Sequence, residues 1–453
     1  MIGLAAALAL SASGAGGLSN GDTLRPFFAK LAHANVRPVH ILQIGDSHTA
    51  GDAITGAWRD ILQQRYGSAG RGVLPPGRPF DGYITHGVTV TMSPGWKVAS
   101  DFGASWSMPS PPLGLSAFTL TSEVDGATMA LAADPNEGFD RFTVCAILRP
   151  GAGSLTLHAG SESANFNLRS ATERPECRTM KLAQPATNAD LTVSGGAATL
   201  TSWATFRDGG GVVLSNLGVV GSQLLHWART DDAVLTEELT NYRPDLIVLA
   251  FGTNEGFSPR VNDFEYEVTL RTQIGRIRRL AGNVPILLLG APDALSRRAE
   301  MRANAFGDPS SDCGAPIVTA QTAPQGGVIA TIMDRLRSSI GMAPSDPPPT
   351  LTLTPPAPSP SAPAVATGTS KGPLFPPAGL RAVRDVQRRI AAQLNLAFWD
   401  WEARMGGRCT ADRWVHASVP LMRGDYVHYT KLGGQEIAAR LMADFDRAMA
   451  AGR

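Results

Sequence analysis

Gly45-Asp46-Ser47-His48 puts a hydroxyl directly after the apolar run Val39-His40-Ile41-Leu42-Gln43-Ile44. A serine presented where a strand turns is a nucleophile when a base lies within hydrogen-bond reach and a third group orients that base. The string alone is short enough to arise by chance. The base must come from eight histidines. Side chains of adjacent residues on a strand or turn diverge, so His48 reads as a brace for the turn. His33, His40, His86, His158 and His226 have no acid at a useful spacing, and His416 has Asp412 four residues before it. His428 lies in Gly424-Asp425-Tyr426-Val427-His428-Tyr429-Thr430, ahead of a C-terminal helical pattern. Asp-x-x-His places carboxylate and imidazole on one loop, where Asp425 fixes the tautomer of His428 through its Nδ1–H.

Acyl transfer also needs donors aimed at a developing oxyanion. Asn254 follows Gly252-Thr253 at the end of the apolar run Leu246–Phe251 and offers a side-chain amide. Gly218-Val219-Val220-Gly221 offers backbone N–H groups with no side chain in the way, from Gly221 or from its competitor Gly218. Glu255 reads as a support for the Asn254 loop. Asp400 and Met405-Gly406-Gly407 precede the Asp-His loop and are further candidates to line a pocket. Trp96, Trp106 and Trp203 read either as sugar-stacking rings or as core.

These blocks need strand ends to hold them. The runs ending at Ile44 and Phe251 read as buried strands, as do Pro285–Gly290 and Ala397–Trp399. Helical patterns separate them: Leu24, Phe27, Phe28 and Leu31; Val383, Val386, Gln387, Ile390 and Leu394; and Ile437, Leu441 and Phe445. Strands alternating with helices predict a parallel sheet covered on both faces, with ligands at the carboxyl ends of its strands. Residues 80–212 differ. Phe118–Thr121, Ser154–Leu157, Asn165–Leu168 and Ala198–Thr201 alternate with period two between Gly, Pro and Asn clusters, which predicts an inserted antiparallel β-sandwich.

At 453 residues the chain has length for two or three domains. Apolar residues at 43% and charged residues at 17% suffice for a real core. Forty basic against thirty-nine acidic residues give a net charge of +1, which excludes general binding to nucleic acid or to an anionic membrane surface. No run is long enough for an integral membrane span. Residues 1–19 read as a secretory leader without its basic start, or else as a buried helix. Residues 343–378 hold 12 prolines in 36 positions and read as an extended, disordered loop. Four cysteines without CxxC spacing argue against zinc. Cys145–Cys177 and Cys313–Cys409 are the expected disulfides, because each pair falls within one expected domain; four separate buried thiols are the alternative.

Gly45-Asp46-Ser47, Gly221, Gly252-Thr253-Asn254 and Asp425-x-x-His428 stand in the order of the blocks of SGNH (GDSL-type) hydrolases, and the chain resembles that family. The resemblance implies Ser47 as nucleophile, His428 as general base and Asp425 as its orienting acid. It implies an oxyanion hole built from Ser47 N–H, Gly221 N–H and the Asn254 side chain. Ile41–His48, Tyr66–Gly72, Leu217–Gln223 and Gly252–Glu255 further resemble bacterial peptidoglycan O-acetylesterases of the Ape type, which carry a sandwich similar to a carbohydrate-binding module after the serine block. The implied architecture is a three-layer α/β/α sandwich in two parts, 20–79 and 213–447, around the insert at 80–212. The implied protein is a periplasmic or secreted serine esterase that needs no metal or other cofactor and removes O-acetyl groups from a cell-envelope polysaccharide, first of all peptidoglycan. An O-acetyltransferase on the same class of glycan and an inactive polysaccharide-binding protein are the alternatives.

Overall fold

The computed structural model describes residues 17–108, 110–259, 261–303, 310–313 and 372–452. The leader expected over residues 1–19 lies outside them up to residue 16, and the proline-rich stretch up to residue 371.

Six strands form one sheet in the order Leu18–Ser19, Ala397–Trp399, Ile286–Leu289, Leu246–Ala250, Val39–Gly45, Val212–Gly218. All neighbours are parallel except Leu18–Ser19, which runs antiparallel to Ala397–Trp399. The central strands are buried from end to end and apolar apart from His40 and Gln43, as a sheet covered on both faces requires. Alternate residues go to different cores. Ile41, Val248, Leu287 and Trp399 pack with helices Arg25–Leu31, Ala53–Tyr66 and Lys431–Ala451. Leu42, Leu249, Leu288 and Phe398 pack with Asp232–Tyr242, Asp263–Ala281 and Ala378–Gln393.

Val212–Gly218 is a parallel strand that apolar patterning does not announce, because Ser215 and Asn216 interrupt it. Both are buried with partners. Ser215 Oγ lies 2.8 Å from His40 Nε2 and accepts from Val73 N–H at 2.8 Å. Asn216 Oδ1 accepts from Arg71 at 2.6 Å, and its amide donates to the Thr49 carbonyl at 3.0 Å.

Between helix Ala53–Tyr66 and strand Val212–Gly218 the chain builds two antiparallel sheets. One is Glu162–Asn167, Ser154–Ala159, Asn188–Ser194, Thr128–Ala133, Val88–Met92. The other is Arg174–Ala186, Phe139–Leu148, Ala198–Phe206, Phe118–Ser122, Trp96–Ser100, with Gly72–Leu74 paired to Ala198–Phe206. Gly72–Leu74 therefore joins this sheet before residue 80. Leu155, Leu157, Leu191 and Val193 are fully buried at alternating positions. Phe139–Leu148 lacks that alternation: from Phe142 onward every residue is buried, and the helix Asp232–Tyr242 covers this sheet, with Tyr242 Oη 3.1 Å from Cys145 Sγ. Cys145 and Cys177 face each other on adjacent strands and form a disulfide. Cys313 and Cys409 form the second, so the four-thiol alternative is overturned. Among the described residues no helix is long and apolar enough to cross a membrane.

Candidate active site

Strand Val39–Gly45 ends in a turn that starts the short helix Ser47–Ala50. Asp46 caps it, its Oδ1 accepting from His48 N–H at 2.9 Å. A Cβ on Gly45 would fall 2.5 Å from the Ala250 carbonyl and against Thr49, and one on Gly218 would fall 2.6 Å from the Asp46 carbonyl. Only glycines let three strand ends approach this closely. The turn thus holds Ser47 at the carboxyl edge of the sheet. Gly218, the competitor for the oxyanion role, packs beneath the turn.

On the facing loop, Asp425 Oδ1 accepts from the backbone N–H groups of Val427 and His428, each at 2.9 Å. Tyr426, between Asp425 and Val427, takes a left-handed conformation, φ 60°. His428 Nδ1–H donates to Asp425 Oδ2 at 2.9 Å, which leaves Nε2 to accept from Ser47 Oγ–H, also at 2.9 Å. Burial pushes the Asp425 carboxyl up. The His428 hydrogen bond and the two backbone amides outweigh it and hold the group down at about 2. Asp425 is therefore ionised at neutral pH, as an orienting acid must be.

His48 does not face Ser47. Its Nδ1 lies 3.2 Å from Asp46 Oδ1 and its Nε2 3.0 Å from the Val427 carbonyl. Both ring nitrogens face acceptors. Burial lowers its pKa, but the hydrogen bond and charge of Asp46, the Val427 carbonyl and the Asp425 charge raise it above the ordinary histidine value on balance. His48 so ties the residue before His428 to the turn that carries Ser47.

Gly221 is the third residue of a turn closed by Ser222 N–H to the Val219 carbonyl at 3.1 Å, and its φ of 80° favours glycine. Asn254 Nδ2 donates one hydrogen to the Ser222 carbonyl at 2.9 Å, which leaves its second N–H for a ligand. Glu255 Oε1 accepts from Leu224 N–H at 2.8 Å. The loop of Gly221 and the loop of Asn254 are thus fastened to each other. Burial pushes the Glu255 carboxyl up to about 7, against the Leu224 N–H, and the Asp46 charge adds to the rise.

A cavity of about 250 Å³ holds Ser47 and His428, with Phe80, Ile84, Val220 and Arg423 on its wall. It shares Gly51, Ala53, Ile84, Arg423 and Tyr429 with a cleft of about 970 Å³ between helix Ala53–Tyr66 and residues 134–137. Phe80, Ile84 and Arg423 belong to no motif, and a single sequence gave no signal for them. Asp400 and residues 405–407 are absent from this lining. Asp400 instead caps helix Trp401–Met405 and pairs with Arg388 at 2.8 Å. His416 bonds the Asp412 carbonyl in its own turn at 2.9 Å. Trp203 is fully buried in the sandwich, Trp96 Nε1–H donates to the Thr128 carbonyl at 3.2 Å, and Trp106 lies 4.2 Å beneath the Arg229 guanidinium. Among the described residues no His, Cys, Asp and Glu cluster is arranged to hold a metal ion.

No protein-family model matches the chain. No curated protein matches it by sequence. Among solved structures, a peptidoglycan O-acetylesterase aligns over 96% of this chain and 100% of its own, with a TM-score of 0.68 and 20% identity. That likeness shows a shared fold. A GDSL-like lipase from Parabacteroides merdae aligns over 52% of this chain and 73% of its own at 14% identity, with a TM-score of 0.28. An acetyl xylan esterase aligns over 51% and 80% at 13% identity, with a TM-score of 0.27. The last two overlaps are too loose to carry an argument.

Proposed function

We propose that the chain is a serine esterase of SGNH type, a three-layer α/β/α sandwich with an inserted β-sandwich, that removes O-acetyl groups from a cell-envelope glycan, with peptidoglycan as the first candidate. The observation that carries this reading is the unbroken hydrogen-bonded series from Asp425 through His428 to Ser47. The fold shared with a solved peptidoglycan O-acetylesterase supports the choice of substrate.

In the proposed reaction Ser47 Oγ attacks the acetyl carbonyl while His428 Nε2 takes the hydroxyl proton. The oxyanion accepts hydrogen bonds from Ser47 N–H, Gly221 N–H and the free Asn254 N–H. As the C–O bond to the sugar breaks, His428 returns the proton to the leaving alkoxide, which departs as a sugar hydroxyl. Water then attacks the acetyl-Ser47 ester, giving its proton to His428, and acetate leaves as Ser47 recovers the proton. The acetyl group fits the small cavity and the glycan lies in the adjoining cleft. Two disulfides support an extracytoplasmic site of action, periplasmic or secreted.

The test is acetate release from O-acetylated peptidoglycan, acetylated xylan and a chromogenic acetyl ester, with wild type and Ser47→Ala. The expected result is release that Ser47→Ala abolishes, greatest on peptidoglycan. Turnover unchanged in Ser47→Ala contradicts the serine mechanism. Release from xylan with none from peptidoglycan contradicts the substrate alone.

A further inference from the structure

The inserted sandwich touches the oxyanion loop at one corner, residues 100–106. Asp101 is 1% exposed, and its backbone N–H donates to the Ala117 carbonyl at 3.1 Å within the insert. Its side chain points out of the insert. Ser222 Oγ–H donates to Asp101 Oδ2 at 2.9 Å. Ser222 is the residue whose carbonyl holds the Asn254 amide. Arg229 Nη1 donates to the Asp101 carbonyl at 2.6 Å and stacks on Trp106. Next to Asp101, the Phe102 ring stacks on His226, with ring centres 4.4 Å apart and planes at 18°. A Cβ on Gly221 would meet that ring at 2.7 Å. Gly221, Ser222, His226 and Arg229 are therefore all seated against one corner of the insert.

We propose that Asp101 is a positioning residue for the oxyanion hole: through the Ser222 hydroxyl it fixes the carbonyl that orients the Asn254 amide, so that the sandwich completes the reaction site. Orienting a donor matters because a misdirected oxyanion hydrogen bond loses its preorganisation, and a whole donor is worth about 10²–10³ in kcat. The second carboxylate oxygen, Asp101 Oδ1, is buried with no hydrogen-bond partner among the described residues. Burial pushes the group up to about 7, against the Ser222 hydroxyl and the Arg229 charge. A neutral side chain that still accepts from Ser222 should therefore substitute for it. An insert that serves only to capture glycan would have no use for a buried carboxylate directed at Ser222.

This inference rests on Asn254 acting at the oxyanion, and its test uses a small chromogenic acetyl ester that does not need the insert to capture glycan. Asp101→Ala and Ser222→Ala are each expected to lower kcat about 10- to 100-fold, as a fraction of the loss of one whole donor, with KM changed less than about threefold. Asp101→Asn is expected to recover most of the loss. The double variant Asp101→Ala/Ser222→Ala should be little worse than either single one, since both break the same link. Ser222→Ala is the smaller change and decides the matter if Asp101→Ala does not fold. A kcat within twofold of wild type for Ser222→Ala overturns the proposal. So does Asp101→Asn as impaired as Asp101→Ala. If Ser47→Ala retains turnover, the esterase reading fails instead, a separate outcome of the same assay.

Discussion

The parallel sheet and the inserted sandwich spend their backbone polar groups in the same way and their loops differently. In the sheet, Gly45 is paired with Gly218 on one side and with Ala250 on the other, so three strands end at one level. Each loop then leaves at the same edge, so the loops that carry Ser47, Gly221 and Asn254 start side by side although 207 positions separate the first of these residues from the last. In the sandwich, antiparallel hairpins send turns to both ends of every sheet. Most of its described residues serve the core and the ladder, while the corner at 100–106 meets the Gly221 loop, Phe80 and Ile84 wall the cavity, and residues 134–137 wall the adjoining cleft. Parallel strands with a common end concentrate chemistry, while the antiparallel insert lends a wall.

Substitutions in the two regions should separate on that basis. The largest effect is expected for Ser47→Ala, a loss of about 10⁴-fold or more in kcat for acetate release. Asp425→Asn should cost about 10³- to 10⁴-fold, because an amide presents His428 with the wrong tautomer. Asn254→Ala should lower kcat about 10²- to 10³-fold with KM little changed. On the other side of the comparison, replacing Cys145 and Cys177 together by Ala should cost about 2–4 kcal/mol of stability in a denaturant titration while kcat of the folded enzyme stays within about twofold. A large kcat loss there would erase the distinction between the regions.

The smallest effect concerns pH. The folded-state carboxyl of Glu255 is raised to about 7 from an ordinary 4.5, so the folded state holds its proton more tightly. The stability this contributes is fully present below about pH 4.5 and is lost as pH rises through 7. Glu255→Gln removes the titration. Its melting temperature should therefore fall less than that of wild type between pH 5 and 8, and parallel curves would contradict the assignment.

The four chemical blocks were legible in the sequence because each is a short local string: Gly45-Asp46-Ser47 and Gly252-Thr253-Asn254 close apolar runs, while Asp425 and His428 share one loop ahead of a helix. Ser47, Asp425 and His428 could be singled out that way, and so could the strands that carry Ser47 and Asn254. The strand Val212–Gly218 was hidden, since Ser215 and Asn216 look like loop residues until their buried partners are seen. Phe139–Leu148 was hidden for the opposite reason: a strand covered on both faces loses the period of two. Asp400 was misjudged as pocket-lining, because nearness in sequence to the His428 loop does not decide which way a helix cap faces. Asp101 lies 121 positions from Ser222 and in no motif, so nothing short of the folded chain could pair them.

If Ser47 carries the acyl group with His428 as its base, Ser47 is also the residue that an electrophilic phosphorus ester modifies. Treatment with an organophosphorus ester, followed by peptide mapping, tests it most directly. One adduct is expected on the peptide containing Ser47, formed at a rate that His428→Ala reduces at least about 100-fold. An enzyme that still releases acetate while Ser47 stays unlabelled, or that labels equally fast without His428, would contradict it.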